Sequence, residues 1–304
     1  ACPAFLRTKP EVEACGEGEV LYSELFGEVP PTMPDFPVRV YSDSQWEEDD
    51  LQFIPRKEHY STYVIDHRVV STILRGLQGG LKVFSVGPTG CGKTTTAELI
   101  CAYINQPMLG INGRGDMESD TLLGRPWVSG GNMDFELGEL PKAMLAGWFV
   151  LLDEPWKMPA HISMSLQRML QRGGVLQLDD KPGTLADKQI VPKNTFNMVL
   201  ADNVVGTGDG AAKYAATMIQ DGSTLNRMDL VVRATYLSAE KEEEMLQKMH
   251  PSLTASYVKK MIQLARLLRT SYEQDELSAA TSPRNLDAWG DMAIKMESLE
   301  EAFK

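Results

Sequence analysis

The sequence predicts an α/β domain with a central parallel β-sheet, followed by a small all-helical lid domain. Between residues 58 and 237, short apolar runs of strand length alternate with helical stretches, which is typical of a parallel sheet covered by helices. A glycine-rich turn joins one such run, LKVFSV, to the helix-forming stretch TTAELICAYI. After Tyr236 the strand signals stop and apolar residues recur at helical spacing, so residues 238–304 are predicted to form the lid.

Residues 1–57 precede the α/β domain and are rich in proline and acidic residues, as in EVPPTMPDFP and SQWEEDD. They show no clear hydrophobic period, and we predict that they form an extended arm. Two alternatives stay open for this arm. It is either a free terminus or a segment that packs along its own domain or along a neighbouring subunit.

Composition restricts the class of protein. The chain has 304 residues, of which 43% are hydrophobic, enough for a substantial core. Apolar runs such as WFVLL are far shorter than the roughly 20 residues that a membrane helix needs, so no membrane partner is expected. The first residues lack the pattern of a secretory signal, and the four cysteines contain no CxxC pair. A cytoplasmic protein with free thiols is therefore predicted.

The charge balance argues against a nucleic acid as the main partner. The formal net charge is −12, whereas proteins that bind nucleic acids usually present a basic face to the phosphates. Metal clusters and histidine-based triads are not indicated either, because the four histidines are scattered along the chain. They are His59, His67, His161 and His250.

The strongest motif is the phosphate-binding loop GPTGCGKT, which lies between a predicted strand and a predicted helix. Its glycines allow backbone N–H groups to face a polyphosphate, Lys93 reaches the β and γ phosphates, and Thr94 supplies a ligand for magnesium. ATP and Mg²⁺ are therefore the expected cofactors. The predicted nucleotide-binding residues are Gly87, Pro88, Thr89, Gly90, Cys91, Gly92, Lys93, Thr94 and Thr95.

Two adjacent carboxylates end the apolar run GWFVLLDEP. At the carboxyl end of a buried strand, Asp153 can hold magnesium together with Thr94, and Glu154 can activate the water that attacks the γ-phosphate. Combined with the phosphate-binding loop, this pair predicts hydrolysis of ATP rather than binding alone.

Three further polar residues follow in the order that a hydrolytic site requires. Asn203 ends the strand-like run FNMVLADN, where its amide could orient the attacking water. Arg227 precedes another strand in NRMDLVV, and Arg284 follows Pro283 at the start of a late helix. Each residue alone has a plain alternative as a cap or a surface charge. Together they suggest a finger that acts on a neighbouring subunit, Arg227, and a sensor in the lid, Arg284.

Over residues 58 to about 290, the chain resembles the AAA+ ATPases. The resemblance rests on the order of its motifs: the phosphate-binding loop, LLDE, an asparagine at the end of a strand, NRMD and SPR. Two predicted hairpins, GRPWVSGGNMDFELGEL and GVLQLDDKPGTLADKQIVP, are similar to the inserts of the MoxR-type, helix-2-insert branch. Within that branch, FGEVPPTMPDF, ADNVVGTGDG and SPRNLDAW look like the ATPase subunits of aerobic cobalt chelatases. Residues 1–25 have no counterpart in these subunits, and DEPWKMP differs from the motif that the family has after the acid pair.

The resemblance implies a ring-forming motor that couples ATP hydrolysis to remodelling of a partner protein. The ring is expected to be a hexamer of identical subunits. That partner would carry a von Willebrand type A module. The alternative is a MoxR-type chaperone or assembly factor whose client is not a chelatase. A motor that acts on nucleic acid is the least favoured hypothesis. The apolar residues Trp127, Met133 and Phe135 of the first hairpin either face the client or pack on their own domain.

Overall fold

The computed structural model describes residues 16–27, 29–30, 32–170, 174–203, 228–274, 276–278 and 280–296. The strands within these ranges are β1 (Glu19–Leu21), β2 (Pro37–Arg39), β3 (Val83–Val86), β4 (Met108–Asn112), β5 (Gly124–Ser129), β6 (Asn132–Leu137), β7 (Phe149–Asp153), β8 (Leu176–Gln177), β9 (Gln189–Ile190), β10 (Asn197–Asp202) and β11 (Leu230–Arg233). The helices are α1 (Tyr22–Phe26), α2 (His67–Gln78), α3 (Lys93–Ile104), α4 (Ser119–Leu122), α5 (Glu139–Ala146), α6 (Ala160–Leu166), α7 (Ala239–Met249), α8 (Ala255–Glu273) and α9 (Pro283–Met296).

The centre of the molecule is a five-stranded sheet with the strand order β11-β3-β10-β7-β4. All neighbouring strands are parallel, with Leu200 of β10 opposite both Phe84 of β3 and Leu152 of β7. β3 and the first four residues of β7 are buried, because helices cover both faces of the sheet. The predicted parallel sheet and the helical segment that follows it are confirmed.

The strand order determines where a ligand can bind. The chain passes from β3 to the far edge at β4, returns through β7 and β10, and ends on the other side of β3 at β11. Open α/β sheets bind ligands beyond the carboxyl ends of their strands, at the point where the order reverses. Here that point lies beside β3, at the start of the phosphate-binding loop.

The described part of the amino-terminal segment packs along its own domain, which is one of the two alternatives that the sequence left open. Its aromatic residues Tyr22, Phe36 and Trp46 are buried in the same hydrophobic cluster as α2 and α3. The indole N–H of Trp46 donates to the carbonyl of Asn105 at 2.9 Å, just beyond α3. A short antiparallel pair, β1 with β2, and helix α1 give this segment local structure that its sequence did not indicate.

Both predicted hairpins are present. β5 and β6 pair in antiparallel fashion around Gly130 and Gly131, which both have positive φ, 57° and 86°. That backbone region favours glycine and is what a two-residue hairpin turn needs. The second hairpin consists of the short pair β8 and β9.

The helices α7, α8 and α9 form a separate hydrophobic cluster that includes Leu246, Met261 and Leu286. An ion pair lies inside this helical unit: the guanidinium of Arg269 binds both carboxylate oxygens of Glu242 at 2.8 and 2.9 Å, and both side chains are buried. Burial raises the pKa of Glu242, and the adjacent Arg269 opposes that effect. The arginine Nε also donates to the carbonyl of Thr281 at 2.7 Å.

Removing one partner of this ion pair should destabilise the lid. Arg269→Met would leave the buried Glu242 carboxylate with only the half-exposed Arg266 guanidinium, 3.8 Å away, and we expect a loss of about 3–5 kcal/mol in the free energy of unfolding. Urea unfolding monitored by circular dichroism measures this change in the free energy of unfolding. The double variant Arg269→Met, Glu242→Gln should recover part of the loss, and a single variant as stable as the parent would contradict the expectation.

Candidate functional site

The phosphate-binding loop connects β3 to α3 as the sequence predicts. Gly92 caps the helix with φ 92° and ψ 19°, a left-handed conformation that glycine adopts without cost. A Cβ at this position would lie 2.6 Å from the hydroxyl of Tyr63. The first N–H groups of α3 lack partners within the helix and carry its positive dipole end, so the loop and helix form a site for an anionic phosphate chain.

The ammonium group of Lys93 has three oxygen acceptors around it. These are the carbonyls of Gly87 and Pro88, at 2.8 and 3.1 Å, and the side-chain oxygen of Asn203, at 2.8 Å. A lysine ammonium has three donors, so all of them are used. Phosphate oxygens that bind at Lys93 would take the place of at least one of these acceptors.

The donor set beside the loop fits magnesium. The hydroxyl of Thr94 donates to Oδ2 of Asp153 at 3.0 Å, which places two hard oxygen atoms next to each other at the carboxyl end of β7. Among the described residues no cluster of three or more histidine, cysteine or acidic side chains could hold a metal ion unaided. Magnesium commonly uses one or two protein oxygens together with waters and substrate phosphates, and Thr94 and Asp153 would supply those oxygens.

Glu154 lies at the same edge of the sheet in an unusual backbone conformation. Its φ of 52° and ψ of 47° are left-handed, and its N–H donates to the carbonyl of Ala201 at 2.8 Å. Such a conformation costs of order 1–3 kcal/mol in a residue other than glycine and is often found at functional sites. One carboxylate oxygen, Oε1, accepts from the amide of Asn203 at 3.3 Å, and the other, Oε2, accepts from Lys157 at 2.8 Å.

Side chains of the helical lid and of the segment that leads into it also reach the site. Tyr236, just before α7, donates from its hydroxyl to the carbonyl of Thr89 in the phosphate-binding loop at 2.9 Å. Arg284, at the start of α9, is exposed and lines the same cavity as Lys93 and Asn203. The sequence prediction that Arg284 begins a late helix is confirmed, whereas its role as a sensor stays a prediction.

The residues predicted from the sequence meet around a single cavity of about 530 Å³ between the α/β domain and the lid. It is lined by Thr89 to Thr95, Asp153, Glu154, Asn203 and Arg284, while Gly87 and Pro88 lie directly behind it as acceptors of Lys93. Arg227 lies outside the described residues, so the structure does not place it.

Cys91, inside the loop, is a half-buried free thiol. Burial raises the pKa of this thiol, and the nearby Lys93 works in the opposite direction. The thiol is therefore protonated at neutral pH and serves as a small side chain in a crowded loop.

Several residues of the site are absent from the sequence prediction. Tyr63 and Asn112 line the cavity, and Lys157 holds the carboxylate of Glu154. A basic residue three positions after the acid pair was the available signal for Lys157. Tyr63 carries no local signal, because it reaches the loop from a segment far away along the chain.

A phosphate-binding loop at the switch point of a parallel sheet, with an acid pair at the end of a strand two positions away in the same sheet, defines a P-loop nucleoside triphosphatase. Residues 82–218 match the model of the AAA domain of the dynein-related subfamily. This match and the site together support an AAA+ ATPase of the MoxR-like type, and so do the sequence relatives CobS and GvpN1.

Most of the chain is similar to the aerobic cobaltochelatase subunit CobS of Sinorhizobium sp., with 26% identity over 250 residues that cover 80% of this chain and 74% of CobS. A shorter segment is 33% identical to the gas vesicle ATPase GvpN1 of Halobacterium salinarum over 75 residues, which cover 25% of this chain and 22% of GvpN1. Among solved structures, the RuvB Holliday junction branch migration motor of Thermotoga maritima matches with a TM-score of 0.45 and 13% identity, over 82% of this chain and 68% of RuvB.

Within the described ranges, no helix is both long and apolar enough to cross a membrane.

Proposed function

We propose that this ATPase assembles into a ring and uses ATP hydrolysis to remodel a partner protein, as the motor subunit of a cobalt chelatase similar to CobS. The observation that carries the proposal is that one domain combines a hydrolytic site with an exposed apolar hairpin. The sequence similarity between this chain and CobS supports the chelatase assignment, because that similarity covers most of the chain and is not confined to the phosphate-binding loop.

Each residue of the site has a role in the proposed hydrolysis. The α3 amino terminus and Lys93 would bind the phosphates, and Thr94 and Asp153 would hold magnesium, which neutralises charge on the phosphate oxygens. Glu154 would accept a proton from the attacking water. Asn203, hydrogen-bonded to Glu154, would orient that water.

Positive charge from two arginines would complete the site. Arg284 approaches it from the lid, so movement of the lid would follow the state of the nucleotide. Arg227 is proposed to act on the nucleotide of the neighbouring subunit, which makes hydrolysis dependent on a ring, in our proposal a hexamer. Relative motion of the subunits would then be transmitted to a partner with a von Willebrand type A module.

The test is to trap the complex. Glu154→Gln should bind ATP and turn it over slowly, so a partner held in the ATP state should co-purify with it. Capture of a chelatase subunit or of a protein with a von Willebrand type A module would support the chelatase role. The control is the double variant Glu154→Gln, Lys93→Ala, which should lose both ATP and the partner.

The alternative function is that of a chaperone or assembly factor with another client. The segment of similarity to the gas vesicle ATPase GvpN1 favours it, because the name of that relative indicates a different assembly. A captured client that contains neither a chelatase subunit nor a von Willebrand type A module would select this alternative. A motor on nucleic acid is the third candidate, and salt-independent absence of DNA binding would remove it.

The tip of the first hairpin is proposed to contact the client. Trp127, Val128 and Met133 are 47%, 69% and 65% exposed, whereas Phe135 packs against the core of its own domain. Val128 and Met133 are cross-strand partners, so they share one face of the hairpin. Exposed apolar side chains grouped at a tip are typical of a contact surface.

Deleting Val128–Asp134 should therefore leave basal ATPase activity intact and abolish its stimulation by the client. The double variant Val128→Thr, Met133→Gln keeps the hairpin and should reduce the same stimulation. Steady-state ATPase assays with and without client measure both effects. Loss of basal activity or of folding in the double variant would indicate that the tip packs on its own domain instead.

A further inference from the structure

Lys157 is joined to the phosphate-binding lysine through a continuous chain of hydrogen bonds. Lys93 donates to Oδ1 of Asn203 at 2.8 Å, the amide of Asn203 donates to Oε1 of Glu154 at 3.3 Å, and Lys157 donates to Oε2 of Glu154 at 2.8 Å. The two oxygens of Glu154 thus have different partners. Oε1 is bonded to Asn203, which also binds Lys93, and Oε2 is bonded to Lys157.

The position of Lys157 is itself determined by packing. Pro155 and Trp156, which separate it from Glu154, are both buried, and the Trp156 ring packs edge-on against Phe84 of β3 at a centroid distance of 5.7 Å. The backbone N–H of Lys157 donates to the carbonyl of Glu154 at 3.0 Å and closes a tight turn. The start of the lysine side chain is therefore anchored to the sheet that carries the site.

Lys157 is not among the residues that line the cavity, whereas Glu154 is. Its ammonium group reaches the site only through Glu154. The backbone of Glu154 is held in its left-handed conformation by the sheet, but the carboxylate is oriented by Asn203 and Lys157 alone among the hydrogen bonds described for it.

We infer that Lys157 is a positioning residue for hydrolysis: it fastens Oε2 of Glu154 so that Oε1 stays turned toward the attacking water. This inference rests on the proposed role of Glu154 as the base. Without the hydrogen bond from Lys157, the Glu154 carboxylate can rotate away from the attacking water. Displacement of a reacting group by about 1 Å can cost on the order of 100-fold in rate.

The test uses Lys157→Met, which keeps the length of the side chain and removes its charge. We expect kcat for ATP hydrolysis to fall about 10-fold to 100-fold, with KM and ATP affinity unchanged. Lys157→Arg, which retains a cationic donor, should keep most of the activity. The matched control is Lys248→Met, which breaks an exposed lysine–glutamate ion pair of the lid with an N–O distance of 2.7 Å and should leave kcat unchanged.

A second measurement separates positioning from a structural role. In a Glu154→Gln background, Lys157→Met should cause no further loss, because the group that it positions is already inactive. An unchanged or raised kcat in Lys157→Met, or an equal further loss in the Glu154→Gln background, would overturn the inference. If Lys157→Met does not bind ATP, Lys157→Gln is measured by the same criteria. Full activity of Glu154→Gln alone would instead refute the base assignment.

Discussion

Replacement of Lys93 by alanine is expected to abolish ATP binding, whereas Glu154→Gln should bind ATP and lose turnover. Lys93 supplies the positive charge at the phosphates, and without it the loop keeps its backbone and threonine hydroxyl donors but no cation. Glu154 contributes a proton acceptor that the nucleotide does not need for binding. A general base is worth about 100-fold to 10,000-fold in rate, so kcat should fall by that order in Glu154→Gln.

Two measurements separate these effects. Titration with a fluorescent ATP analogue gives the dissociation constant, and release of phosphate gives turnover. Lys142→Ala, at an exposed lysine of α5, is the matched control and should behave like the parent in both. Undiminished hydrolysis by Glu154→Gln would show that another group activates the water, and ATP binding by Lys93→Ala would refute the role of the lysine.

Arg227→Ala should be nearly inactive while still binding ATP. The transition state of phosphoryl transfer carries charge that Lys93 and magnesium offset only in part, and a finger arginine from a neighbouring subunit is worth on the order of 1,000-fold or more in turnover. Because the finger is proposed to act on another subunit, the parent activity should also rise steeply with protein concentration. Turnover measured across a dilution series checks this dependence.

A mixing experiment tests whether the site is shared between subunits. Arg227→Ala and Lys93→Ala are each expected to be inactive alone. In a mixed ring, an interface that pairs the intact phosphate-binding loop of one variant with the intact arginine of the other should regain activity. If mixed rings form, as shown by co-purification of differently tagged variants, and stay inactive, Arg227 acts within its own subunit or has no role.

Much of the site follows from short stretches of sequence. The apolar runs before Gly87 and Asp153 predict buried strands, and parallel strands bring their carboxyl ends to one edge of the sheet. The phosphate-binding loop, Asp153, Glu154 and Asn203 therefore meet as predicted. Glycine pairs likewise indicate a tight turn locally, and the first hairpin forms around Gly130 and Gly131.

The sequence does not reveal the course of the amino-terminal segment, because its burial depends on partners distant along the chain. Its aromatic side chains follow no regular period. Tyr22 is buried through contact with α2, where its hydroxyl lies 3.1 Å from Nδ1 of His67, and Trp46 binds the backbone beyond α3. Proline and acidic residues dominate the local composition and indicate only an extended chain.

By itself, then, the sequence determined the elements whose signals are local: the parallel strands, the phosphate-binding loop, the acid pair and the hairpin turns. Only the tertiary structure decided how side chains from different strands orient one another. Lys157 and Glu154 are neighbours in sequence, but their ion pair needs the left-handed backbone at Glu154 and the burial of Trp156. Side-chain direction at the end of a strand depends on the packing of the following turn, and that packing involves Phe84, a residue of another strand.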